Sequence, residues 1–77
     1  MADHSMVGKI AEVTGQIGPG LIGEVMVPVR GGVEAFYAVA ADAGQTIAAG
    51  SEVVVVEYLP PREVVVTPYP FSKELLQ

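Results

Sequence analysis

Gly18-Pro19-Gly20-Leu21-Ile22-Gly23 has the spacing G-x-G-x-x-G. In a dinucleotide site that spacing opens a helix whose first N–H groups hold a pyrophosphate. Here Gly23 leads instead into Glu24-Val25-Met26-Val27-Pro28-Val29, which alternates like a strand, and Pro19 deletes one N–H donor that such a loop would use. The segment reads as a turn between strands. His4 is the only histidine and stands beside Asp3. A metal site needs several ligands converging on one point, and a nucleophilic site needs a Ser or Cys with a positioned base. Ser5, Ser51 and Ser72 have no such base in reach if His4 lies in a tail. The expectation is therefore no catalytic centre, no metal site and no bound cofactor.

The carboxylates Glu12, Glu24, Glu34, Asp42, Glu52, Glu57 and Glu63 are spread along the chain. Acid–base chemistry needs a pair in one pocket with pKa values driven apart. Distributed over strand faces and turns, they read as solvated surfaces and charged edges that discourage aggregation. The aromatics are Phe36, Tyr37, Tyr58, Tyr69 and Phe71. A barrel that binds single-stranded nucleic acid stacks bases on strand aromatics beside a basic groove. Phe36 and Tyr37 are suitably placed, but Glu34 and Asp42 are their neighbours and Arg30 is the only cation near them. Core packing and a surface tyrosine account for the pair better. Lys9, Arg30, Arg62 and Lys73 are scattered along the sequence and predict no basic patch, and a net charge of −5 repels phosphate at long range.

The elements that would carry these residues are short and β-branched. Ile47-Ala-Ala-Gly50-Ser-Glu-Val53-Val-Val-Val56-Glu-Tyr58 enters a valine run through a glycine turn, and Val64-Val-Val66-Thr-Pro68 ends a second run at a proline. Valine is stiff at χ1 and suits a pleated, half-buried surface. Five strands follow: Met6–Ile17, Leu21–Arg30, Val33–Ala41, Val53–Tyr58 and Glu63–Thr67. Gly8 and Gly15 suggest bulges or bends in the first. Pro28 has no N–H for a ladder and predicts an edge or bulged position in the second. Gly31-Gly32 predicts a type I′ hairpin with φ > 0 at both residues, so that Gly32→Val would cost about 1–3 kcal/mol. Asp42-Ala-Gly44 is a turn, and Leu59-Pro60-Pro61-Arg62 joins the last two strands. Ser72 would cap a short helical turn in the tail.

Seventy-seven residues bound the chain to one domain. It has no cysteine to staple a small core, which fits a reducing compartment. No apolar run reaches the ~18 residues that span a bilayer, and no charged segment followed by an apolar one marks a signal peptide. Even strand spacing with Gly and Pro punctuation predicts an all-β fold, a small five-stranded OB-like barrel over residues 6–69, since closure removes exposed edges. An SH3-like barrel or small sandwich is the alternative. Residues 1–5 read as a disordered start or expression leftover, and residues 70–77 as a C-terminal tail.

The phrase Ile47-x-x-Gly50-x-x-Val53-x-Val55, with Val7-Gly8-Lys9-Ile-Ala-Glu-Val13, Gly23-Glu-Val-Met-Val-Pro-Val-Arg30 and Val64-Val-Val-Thr-Pro68, resembles the soluble C-terminal domain of the NfeD family over about residues 7–69. The resemblance implies an OB-like barrel attached to a membrane-spanning segment, at the cytoplasmic face of the membrane. It also implies stomatin-, prohibitin- or flotillin-like partners and a role in membrane organisation or quality control. Longer relatives carry a serine-protease domain with a Ser–Lys pair. This chain contains neither that domain nor a spanning segment, so no protease activity carries over. The expected function is a non-enzymatic interaction module without a small-molecule substrate, and Tyr69, Phe71, Leu75 and Leu76 are its candidate partner contacts. The alternative is a nucleic-acid-binding OB domain. Charge decides between the two. Labelled single-stranded DNA and RNA should show no rise in fluorescence anisotropy with this protein at physiological salt, and salt-sensitive micromolar binding would reverse the choice.

Overall fold

A computed structural model describes residues 6–69. They form five strands, β1 (Ile10–Gly15), β2 (Gly23–Val29), β3 (Gly32–Ala40), β4 (Glu52–Leu59) and β5 (Glu63–Pro68), and the described residues contain no helix. The strands close into a barrel in the order β1-β2-β3-β5-β4. All neighbours are antiparallel except β3 and β5, which run parallel from Tyr37↔Glu63 to Ala40↔Val66. One end of the barrel thus carries residues 6–9, the β2–β3 hairpin and the β4–β5 turn. The other end carries the Gln16–Ile22 and Ala41–Ser51 connections.

Period-two alternation decides what lies inside. Val25 and Val27 of β2, Phe36 and Ala38 of β3, Val53 and Val55 of β4, and Val64 and Val66 of β5 are buried, as are Ala11 and Val13 of β1. Among the described residues no polar side chain is buried. Ile10 sits at an outward position, and Ala11 takes the inward one. The first strand is correspondingly shorter than Met6–Ile17. Gly8 N–H donates to Val55 O at 2.7 Å and Val55 N–H to Lys9 O at 2.9 Å, so two residues oppose one in a bulge that precedes β1. Gly50 and Ser51 oppose Val13 in the same way, which accounts for the glycine turn leading into β4. A second irregularity falls between Val13 and Gly15, where the expected bend lies.

Ile47 takes over a job that a helix between β3 and β4 could otherwise do. Ile17 and Ile47 exchange both backbone hydrogen bonds, at 2.9 and 2.8 Å, and both side chains are buried at that end of the barrel. The chain that returns from Ile17 to β2 passes very close to itself. A Cβ on Gly23 would lie 2.5 Å from the Gly15 carbonyl oxygen and would collide with Ile17 Cγ1. Only glycine fits there.

The hairpin is a two-residue turn, shifted by one position from the sequence expectation. Arg30 (φ 37°) and Gly31 (φ 78°) are its central residues, and Gly32 already pairs with Val29 in the ladder. Ladder registration overrides the Gly-Gly signal, because β2 must place Val25 and Val27 inward and its last inward position is Val29. Pro28 then falls opposite Val33, beyond the last β1–β2 pair, where its missing N–H costs no ladder bond. The expected cost of Gly32→Val is therefore withdrawn. A Cβ on Gly32 meets only Val29 O at 3.8 Å. In denaturant titrations Gly31→Val should lose about 1–3 kcal/mol, and Gly32→Val should stay within about 0.5 kcal/mol of the parent. Equal losses would show that the turn is centred elsewhere.

Candidate functional site

The G-x-G-x-x-G spacing is an interstrand turn. Leu21 N–H donates to Gly18 O at 2.9 Å around Pro19 and Gly20, and Gly23 opens a strand rather than a helix. His4 lies outside the described residues, and among the described residues no three His, Cys, Asp or Glu side chains come together to hold a metal ion. Glu12, Glu24, Glu34, Asp42, Glu52 and Glu57 are exposed and Glu63 is half-buried. Glu12 and Glu52 stand opposite each other on β1 and β4. Like charges in that position oppose pairing rather than support it. Thr14 Oγ1 donates to Glu24 Oε1 at 2.6 Å, and Asp42 Oδ1 accepts from Gly44 N–H at 3.3 Å in its turn.

The adjacent aromatics divide as their alternation requires. Phe36 is 6% exposed and Tyr37 63%. Phe36 meets Tyr58 edge to face with ring centroids 6.2 Å apart. Tyr58 Oη donates to Pro61 O at 3.1 Å, which ties the β4–β5 turn to the strand before it. That turn contains the cis Pro60–Pro61 bond. Tyr37 stands on the outer face with Glu24 beside it on β2 and Glu63 on β5. Two carboxylates flanking the exposed aromatic oppose the phosphate backbone that base stacking would bring with it.

The cations do not stay scattered. Lys9, Arg30 and Arg62 line one open cleft of about 580 Å³ at the hairpin end, with Met6, Val29, Val33, Phe36 and Tyr58. Glu34 is the only carboxylate in that lining. The β2–β3 hairpin carries Arg30, the bulge before β1 carries Lys9, and the β4–β5 turn carries Arg62. The Arg62 guanidinium lies 5.2 Å from the Phe36 ring centroid, and its Nη1 is 3.0 Å from Glu34 Oε1. Both partners of that pair are about half exposed, so solvent screens it and it contributes no more than about 1 kcal/mol. Sequence separation concealed this convergence. Of the candidate contacts, Tyr69 is half-buried and its N–H donates to Glu52 O at 3.0 Å, at the end opposite the cleft. Phe71, Leu75 and Leu76 lie outside the described residues.

A closed five-stranded barrel with this strand order, including the parallel β3–β5 pair, defines an OB-type domain. A family model described as the NfeD C-terminal domain matches residues 10–67, and the chain belongs to that family. The soluble domain of the NfeD protein YuaF from Bacillus subtilis superposes with a TM-score of 0.73 at 29% identity, over 84% of this chain and 75% of that one. The soluble domain of a membrane protein implicated in regulation of membrane protease activity, from Corynebacterium glutamicum, does so with a TM-score of 0.68 at 27% identity, over 80% and 89%. No curated protein matches the chain. Among the described residues no helix is long and apolar enough to cross a membrane.

The two neighbouring aromatics should answer differently to truncation. Phe36→Ala removes a buried ring and should cost on the order of 3–5 kcal/mol, whereas Tyr37→Ala should change stability by no more than about 0.5 kcal/mol. Urea unfolding followed by circular dichroism measures both. A large loss at Tyr37 would show that its ring is covered.

Proposed function

We propose that this domain acts by presenting a surface to a protein partner, as a non-enzymatic interaction module of an NfeD-type membrane protein. One observation carries the reading: large apolar side chains stand on the outside of the barrel. Val33, Ala35, Tyr37 and half-buried Val39 follow one another along the outer face of β3, with Pro28 and Met26 opposite the first two on β2. Val33 and Tyr37 are 58% and 63% exposed. Leu21 and Ile22, exposed by 50% and 66%, precede β2 at the other end. A row of aliphatic and aromatic side chains bordered by carboxylates is the usual composition of an interface anchor.

The partner expected from the family resemblance is a stomatin-, prohibitin- or flotillin-like membrane protein, met at the cytoplasmic face of the membrane. The description of the Corynebacterium glutamicum relative as the soluble domain of a membrane protein supports the membrane attachment in this reading. Tyr69, Phe71, Leu75 and Leu76 are proposed to extend the contact. Membranes of the source organism, solubilised and passed over immobilised protein, provide the test. The intact chain should recover a stomatin- or flotillin-like protein, and a chain lacking residues 70–77 should recover several-fold less while remaining folded. Equal recovery by both baits rules out the tail, and recovery by neither rules out the interaction.

A further inference from the structure

β3 is longer than its neighbour. It runs from Gly32 to Ala40, but β5 joins it only at Tyr37. Tyr37 N–H leaves the strand on the β5 side, donating to Arg62 O at 2.8 Å, and Ala41 N–H does the same to Val66 O. Backbone groups on an antiparallel strand alternate sides with period two. Val33 and Ala35 must therefore point their N–H and C=O groups to that same side, where β5 has not yet begun. The first four residues of β3 are exposed, and no strand among the described residues pairs with them there. The edge borders the cleft that holds Lys9, Arg30 and Arg62.

We propose that the Gly32–Phe36 edge of β3 is a strand-addition site for an extended peptide in which acidic and apolar residues alternate. The proposal rests on the interaction reading above and gives it a place and a chemistry. Main-chain bonds to Val33 and Ala35 would supply the pairing, and side-chain alternation the selectivity. The two faces of β3 differ at this edge. Glu34 and Phe36 lie on the cleft side with the cations, Ala35 and Tyr37 lie on the outer side, and exposed Val33, an outer-row residue next to the hairpin, also reaches the rim of the cleft. An added strand repeats that alternation, so its acidic side chains meet Lys9, Arg30 and Arg62 while its apolar ones continue the outer row. Arg62 and Glu34 form the only ion pair among the described residues, and they span the gap between β3 and the β4–β5 turn. An incoming carboxylate takes the place of Glu34 on Arg62. β2 offers no equivalent edge next to Lys9, because Pro28 lacks the donor.

The test uses the full chain, isotope-labelled, titrated with a capped octapeptide of alternating Glu and Val, and with the same peptide carrying Lys for Glu. The amides of Val33 and Ala35 should shift and saturate, and the Lys peptide should bind about tenfold more weakly or less. Lys9→Glu with Arg62→Glu should weaken the Glu peptide by about tenfold or more, and Glu34→Gln should tighten it. Ala35→Pro removes an outward donor at an edge, a position that tolerates proline, and should abolish binding with the melting temperature retained. Peptide-induced shifts absent at Val33 and Ala35, or equal affinity for both peptides, would overturn the proposal. Concentration-dependent shifts of the same amides without peptide would do so too, by assigning the edge to a second copy of the chain. Partner recovery from membranes that survives Ala35→Pro would leave the interaction reading standing and remove only this site.

Discussion

Closing a five-stranded sheet on itself leaves an interior too narrow for large side chains on every strand. Most of the structure follows from that constraint. The buried positions are mainly valine and alanine, with one aromatic, Phe36, toward the hairpin end. β-branched side chains satisfy the narrow interior and the pleated backbone together. Closure also requires two long-range contacts, the parallel β3–β5 pairing and the antiparallel β1–β4 pairing. Each is brief, four pairs in one case and three in the other. The bulges at Gly8 and Gly50 bend β1 and β4 enough for them to meet.

The two ends of the barrel are sealed by different means, and this difference gives the molecule its polarity. At one end the Ile17–Ile47 bridge supplies both backbone pairing and apolar cover. At the other end none of the described residues crosses the opening. Met6 packs in from below β1, Tyr58 braces the β4–β5 turn, and Arg62 lies over the Phe36 ring. A guanidinium can cover an aromatic face while remaining hydrated. That seal leaves a cleft beside an unpaired strand edge, whereas the Ile17–Ile47 seal does not.

The mismatch between the lengths of β3 and β5 matters for the same reason. A barrel normally removes strand edges by closure. Here closure is complete over Tyr37–Ala40, and among the described residues it is absent over residues 32–36. The edge that remains is guarded by the Arg62–Glu34 pair, an exposed and easily exchanged contact. An open edge beside cations lets an otherwise acidic domain discriminate between ligands by charge.

Much of the architecture was already written in local residue choice. Val53–Val56 and Val64–Val66 could only be strands, Gly18-Pro19-Gly20 and Asp42-Ala-Gly44 could only be turns, and the separation of buried Phe36 from exposed Tyr37 follows from alternation alone. These are properties of a few neighbouring residues, and stereochemistry settles them without reference to the rest of the chain. The tertiary structure decided everything that depends on register. It moved the hairpin centre from Gly31-Gly32 to Arg30-Gly31, because the inward row of β2 outweighs the preference of one glycine. It made Ala11 rather than Ile10 a core residue. It also gathered Lys9, Arg30 and Arg62 around one cleft, which spacing along the chain concealed. Charges distant in sequence meet only when three separate loops are brought to the same end of a closed barrel, and closure is a non-local event that no short stretch of sequence encodes.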